Sequence, residues 1–317
     1  MKKKKYVAHD SNALSSELII KPIKKKVWLF LIPTFICFLI GFVWPFVSGI
    51  YLSFCQFKLI RDALFIPLDK IKDVWVGLSN YVRAFSDPSF KQAFIYTAKY
   101  AVVSVVIINV FAFFLAYLLT LKIKGSSIFR SIFFMPNLIG GIVLSYIWQL
   151  IFNGILIRYN TYLTANSTFG FWGLVILMAW QQIGYMMIIY IAGFQSVSED
   201  ILEAAEIDGA GKWATLFKVI VPNMMTTISI CLFLTLTNSF KLYDQNLALT
   251  GGAPVITTSE GQIKMTEMLA LNISNSFGKI NSWAKGTAQA KAVIFFILVA
   301  IISLLQLKTT RSKEVQQ

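Results

Sequence analysis

Long apolar runs separated by short polar clusters, several of them rich in lysine and arginine, set the pattern of this chain. Runs that carry almost no charge cover residues 27–57, 100–121, 131–157, a span within 169–194, 219–240 and 292–307. About 20 apolar residues cross the hydrocarbon of a bilayer as a helix, the form that bonds every backbone polar group within its own segment. Six membrane helices are therefore predicted. The last run is short unless it begins near Gly286 and lets Lys291 snorkel to the interface. The run 27–57 is too long for a signal-peptide core and has no small-residue cleavage site, so it is expected as a mature helix.

Between the fourth and fifth runs lies a polar island. Ser196 and Glu199 have the spacing of a capping box, and Ile201, Leu202 and Ala205 then supply one apolar face. Gly209 and Gly211 break that helix. Trp213, Leu216, Phe217 and Ile220 recur at helical steps as a second short amphipathic helix, and Pro222 opens the next span. The expected product is two short helices meeting at a glycine bend. An interfacial linker resting on headgroups is the plain alternative. Anionic lipid would disfavour Glu199, Asp200, Glu203, Glu206 and Asp208 in one loop, whereas a positively charged protein partner would favour them.

Composition agrees with the spans. With 56% hydrophobic and 14% charged residues, the chain cannot cover a soluble surface, so it reads as an all-α polytopic membrane protein. The net charge of +14 comes in part from lysine clusters beside an apolar run, which argues for membrane lipids and against nucleic acid. Cys37, Cys55 and Cys231 lie in or beside apolar runs without metal-ligand spacing, and His9 is the single histidine. Lysine and arginine in short loops mark the cytoplasmic side. Residues 2–26, the Lys122, Lys124 and Arg130 turn, and the Lys308, Arg311 and Lys313 tail are therefore placed inside, with both termini cytoplasmic. Residues 58–91 and 241–291 are placed outside. The resulting organisation is a basic arm (1–26), expected as disordered, a membrane domain (27–308) holding the island at 196–222, and a C-terminal tail (309–317).

Two spans carry unusual polarity. Thr227, Cys231, Thr235, Asn238 and Ser239 share one helical face of the fifth, which is expected to turn away from lipid. The fourth carries Trp180, Gln181, Gln182, Gly184 and Tyr185. Aromatic faces with amides and hydroxyls suit a sugar, but small hydroxyl residues also serve helix packing. Both readings stand for Thr227 and Thr235, while Asn238 fits a pathway better.

Glu203-Ala204-Ala205, three residues, Gly209, nine residues, then Val219-x-Val221-Pro222 resembles the EAA loop of ABC importer permeases, with Val219 and Val221 where the family has Ile and Leu. The stretch from Tyr190 to Ala210, Trp44-Pro45, residues 76–81 and residues 249–254 resemble the maltose-type carbohydrate permeases in particular. Ala253 departs from the usual Gly-Gly-Pro. The likeness covers nearly everything after Lys26.

The resemblance implies a bacterial cell-membrane permease whose cytoplasmic EAA loop is the coupling element. Glu203 and Gly209 would be its main residues, supported by Ala204, Ala205, Asp208 and Ala210. It also implies a sugar path in spans four and five, through Trp180, Gln181, Gln182, Tyr185, Thr235, Asn238, Ser239 and Leu242. Of these, Asn238, Ser239 and Leu242 depart from the family's residue types. The implied partners are a second homologous permease, two ATPase subunits and an extracytoplasmic sugar-binding protein. The chain shows no nucleotide site: Gly211-Lys212 lacks the other residues of a P-loop, so ATP and Mg are expected on the ATPase and no cofactor here. Import of a polyol, glycerol phosphate or modified sugar is the alternative. A phosphate would want Arg or Lys in mid-span, which spans four and five lack. An ATP-independent secondary transporter would want a buried acid, which the six spans also lack at their centres.

Overall fold

In the computed structural model, residues 30–121, 124–259, 261–279, 281 and 283–311 are described. The basic arm 1–26, Lys122 of the basic turn and the tail after 311 lie outside them. The chain divides into two units, one ending at Leu52 and one running from Ser53 onward.

The described residues of the first unit form helix α1 (Phe30–Ser53), whose last residue belongs to the second unit. Phe38, Phe42 and Phe46 stack along it with ring centroids 5.2 and 6.2 Å apart. The helix widens into a π turn over Leu39–Val43, where the Trp44 N–H reaches five residues back to the Leu39 carbonyl. Pro45 explains the turn: it has no N–H to donate, and its ring would crowd the carbonyl of Gly41 in a regular α ladder.

The second unit comprises α2 (Ser79–Ser86), α3 (Pro88–Thr120), α4 (Ser126–Phe134), α5 (Gly141–Leu156), α6 (Ser167–Ser196) and α7 (Glu199–Ile207). It continues through α8 (Lys212–Asn223), α9 (Met225–Phe240), α10 (Asp244–Leu249), a hairpin of β1 (Val255–Thr258) and β2 (Gly261–Lys264), α11 (Leu269–Phe277) and α12 (Ala284–Arg311). Short single turns lie between some of these elements. Among the described residues five helices are long and apolar enough to cross a membrane, and there are six if the pair α8 and α9, bent by 73°, forms one span. The all-α polytopic reading with about six spans thus holds.

The core is built on α3 and α6. Tyr96 and Tyr100 meet Phe171 edge-on, Phe113 meets Tyr190, and Tyr117 meets Phe194, so the two helices run in the same direction. Helix α3 alone extends roughly 50 Å at 1.5 Å per residue, longer than the roughly 30 Å hydrocarbon core of a bilayer. At its Pro88 end lies a strap made of α10, the hairpin and α11. Ser89 Oγ donates to the Gln262 carbonyl at 3.2 Å, Gln92 to the Met265 carbonyl at 3.3 Å, and Thr97 Oγ1 accepts from the Leu269 N–H at 2.9 Å. Buried Asn246 holds the strap together, joining α10 to the link before α11 by donating to the Thr266 carbonyl and accepting from the Met268 N–H. The elbow formed by α7 and α8 lies at the opposite end, where α6 finishes.

Three expectations are corrected. The third run is not one helix: α4 ends in a 3-10 turn over Met135–Leu138, and α5 begins only at Gly141. Pro136 and the Gly140–Gly141 pair break it, and the Ile139 carbonyl so freed accepts from Gln181 Nε2 at 3.3 Å. The fifth straight span starts at Met225, after the bend, and not at Pro222. Lys291 does not snorkel; it is buried among partners from α3 and α11.

Candidate coupling elbow and translocation surface

The elbow begins where α6 stops. Ser196 is still helical and its Oγ donates back to the Gly193 carbonyl, so it does not form the predicted capping box with Glu199. Ser198, with extended backbone, takes the N-cap position of α7, and no side-chain bond caps that end. α7 then ends in a Schellman closure. The Ala210 N–H reaches the Ala205 carbonyl and the Gly209 N–H the Glu206 carbonyl, both at 3.0 Å, with Gly209 at φ +73°. Such a φ suits glycine, which has no β-carbon to collide with the next carbonyl.

Ala205 is buried toward the body, whereas Glu199, Asp200, Glu203, Ala204, Glu206 and Asp208 are exposed on α7 and its end, with Ala210 half-buried. The predicted second amphipathic helix is α8, but it is wound as a π turn over Thr215–Ile220 ahead of Pro222. The wider turn shifts the apolar register: Leu216 is buried, while Trp213 and Phe217 stack 6.0 Å apart on the exposed side. The elbow therefore presents five acids, Ile207 and this aromatic pair outward.

The residues of the expected sugar path fall into two groups. Trp180 is exposed, lies 5.5 Å from Trp148 and lines an apolar groove of about 240 Å3 beside Pro136 and Ile139. Gln182, Tyr185 and Asn238 are half-buried, and Asn238 Nδ2 donates to Gln182 Oε1 at 3.4 Å across α9 and α6. The others face inward. Gln181 accepts from Gln245 Nε2 at 3.0 Å while donating to Ile139, which answers the cost of an amide deep in a span. Thr235 Oγ1 donates to the Cys231 carbonyl and accepts from Asn109 Nδ2 at 3.1 Å; Asn109 Oδ1 in turn accepts from Tyr190 at 2.8 Å. Ser239 Oγ donates to the Thr235 carbonyl, and Leu242 sits in the cluster of Tyr96, Tyr100 and Leu249. The polar stripe of α9 thus turns inward as expected, and at Thr235 its groups are spent on α3.

Sequence reasoning missed Asn109, Gln245 and the partners of Lys291. A lone amide inside the run 100–121 was the available signal for Asn109, since such a group needs a partner on another helix.

Comparison with known proteins identifies the family. A family model described as the binding-protein-dependent transport system inner membrane component matches residues 27–310. The chain is 41% identical over 298 residues to the probable starch degradation products transport system permease protein AmyD of Thermoanaerobacterium thermosulfurigenes, covering 91% of this chain and 95% of that one. It is 31% identical over 299 residues to the multiple sugar-binding transport system permease protein MsmF of Streptococcus mutans, covering 91% and 96%. A bacterial ABC transporter solved by crystallography, involved in importing the acidic polysaccharide alginate, shares the fold with a TM-score of 0.72 at 18% identity, over 93% of this chain and 98% of that one. The chain belongs to the binding-protein-dependent transport system inner membrane components, the permease subunits of ABC importers, and is a translocation component, not an enzyme.

Proposed function

We propose that this permease imports an oligosaccharide of the kind released from starch, working with a second homologous permease, two ATPase subunits and an extracytoplasmic binding protein. The observation that carries the reading is the elbow: five exposed acids on a short helix closed by Gly209, at the opposite end of the second unit from the strap. Its charge suits a protein groove better than an anionic lipid surface. The 41% identity to a permease named for starch degradation products supports the substrate class. Both termini and the elbow are cytoplasmic in this reading, and the strap end is extracytoplasmic. Glu203, with Ala204, Ala205, Asp208, Gly209 and Ala210, contacts the ATPase, which alone binds ATP and Mg. Closure of the ATPases moves the elbow, and α9, joined to it at the bend, carries the motion into the membrane.

The test is to purify the tagged chain in mild detergent and identify its companions. An ATPase and a second permease are expected with the wild type, and the ATPase is depleted or uncoupled in Glu203→Ala. A chain recovered alone, under conditions that preserve a known ABC importer, would sink the proposal.

Trp180, Gln182, Tyr185 and Asn238 are the proposed sugar-facing group, because the other four of the eight expected residues are buried. Asn238→Ala is expected to raise the half-saturating sugar concentration for uptake, with thermal stability unchanged. Thr235→Val is expected to do the reverse, because it removes a partner of Asn109 and should cost about 1 kcal/mol of stability. Uptake kinetics and melting curves on the same proteoliposome preparations separate the two; a larger kinetic effect at Thr235 would overturn the assignment.

A further inference from the structure

The buried charge of α12 has no role in the elbow or on the sugar-facing surface. Lys291 lies two turns into α12 with its side chain 1% exposed. An ammonium so placed persists only where its N–H groups find acceptors. Here it finds three: Asp87 Oδ2 at 2.6 Å, Ser276 Oγ at 2.9 Å and Asn272 Oδ1 at 3.0 Å. Asp87 also caps α3, its Oδ1 accepting from the Ser89 N–H at 2.9 Å. Burial alone would raise the Asp87 carboxyl; the Lys291 ammonium and the Ser89 N–H outweigh it and hold the pKa below the ordinary value.

The network runs on into the strap. Asn272 Nδ2 donates to Glu267 Oε2 at 2.7 Å, Asn275 donates to the other oxygen, and Lys264 of β2 stands 3.9 Å from it. One chain of bonds therefore links β2, Glu267, α11, α12 and α3. A polar cleft of about 370 Å3 opens between Ser89, Gln262, Lys264 and Lys279, with Glu267 and Asn272 in its lining. A second, of about 350 Å3, has Asp87 and Lys291 in its lining, together with Arg83, whose guanidinium stacks 3.9 Å over Trp283.

We propose that Lys291 is a positioning residue for transport. It locks the strap to the ends of α3 and α12, so that the clefts form a seat already ordered when the loaded binding protein arrives. Without the lock, docking must also order the strap, and affinity falls by that cost. The inference rests on the strap end being extracytoplasmic, as read above.

The test uses the complete transporter in nanodiscs, titrated with its binding protein loaded with a starch-derived oligosaccharide, with ATPase stimulation as the readout. Lys291→Met strands Asp87, so the doubly neutral Asp87→Asn/Lys291→Met variant is measured beside it to keep the fold. Both are expected to raise the half-saturating binding-protein concentration about tenfold with the maximal rate retained. Hydrogen exchange in residues 261–277 is expected to quicken while residues 199–223 stay unchanged. An unchanged half-saturation in the double variant overturns the inference, and so does a lowered maximum without a shift in half-saturation. A wild-type transporter that no loaded binding protein stimulates would sink the importer reading itself, and this inference with it.

Discussion

Gly184→Val is expected to leave almost no folded, transport-competent subunit. Gly184 lies in the middle of α6, where a β-carbon would sit 1.8 Å from the Phe133 carbonyl oxygen and 2.3 Å from its carbon. These are backbone atoms of α4, so no change of rotamer can relieve the contact, and the two helices must separate. Separation is costly here, because α6 keeps Met186 and Met187 fully buried and its Gln181 holds the freed Ile139 carbonyl. Overpacking of a well-packed interior costs about 1–3 kcal/mol and occasionally more. A backbone-to-backbone collision belongs at the upper end, and even Gly184→Ala should lower the melting temperature clearly. Gly154 of α5 is the control: a β-carbon there meets nothing within 4 Å, so Gly154→Ala gains up to about 1 kcal/mol of helix propensity. Thermal unfolding of the purified complexes decides the matter, and a Gly184→Val protein melting within two or so degrees of wild type would refute the close-approach argument.

Gly209→Val should separate folding from coupling. A β-carbon at Gly209 has nothing within 4 Å, so the substitution costs no packing. The φ of +73° is what it cannot adopt cheaply; a left-handed residue costs roughly 1–2 kcal/mol, and a β-branched one more. The exposed elbow would then relax by opening its Schellman closure, which re-aims Glu203 and Asp208 while the membrane body stays intact. One to two kcal/mol is a factor of about 5–30 in an equilibrium, so ATPase retention should drop by that order. Gly209→Asn is the partner variant, because asparagine visits the left-handed region and should retain most of the ATPase. Equal loss with both substitutions would show that the glycine is needed for space at the ATPase surface and not for its φ.

The misreadings have local physical causes. The capping box at Ser196 and Glu199 satisfies the spacing rule, but α6 runs on to Ser196, whose hydroxyl takes the Gly193 carbonyl instead. The apolar face through Trp213, Leu216, Phe217 and Ile220 assumes 3.6 residues per turn, and the π turn ahead of Pro222 removes that period. Pro45 in α1 has the same effect on the turn before it, so a proline late in an apolar run signals a change of period as well as a bend.

Hydropathy, glycine and proline chemistry act over a few residues, and so the sequence by itself determined the six apolar spans, the elbow between the fourth and fifth, and the glycine at its bend. It also determined that one face of α9 must avoid lipid. What that face meets was decided by tertiary structure: Thr235 finds Asn109 from 126 positions away, Asn238 finds Gln182, and Leu242 joins a core around Tyr96 and Tyr100. The same holds for Lys291, whose acceptor Asp87 is 204 positions distant, and for Gly184, whose neighbour is the backbone of another helix. A period shows which side chains share a face, but a buried polar group or a close backbone approach is defined by its partner, and only folding brings the partner to it.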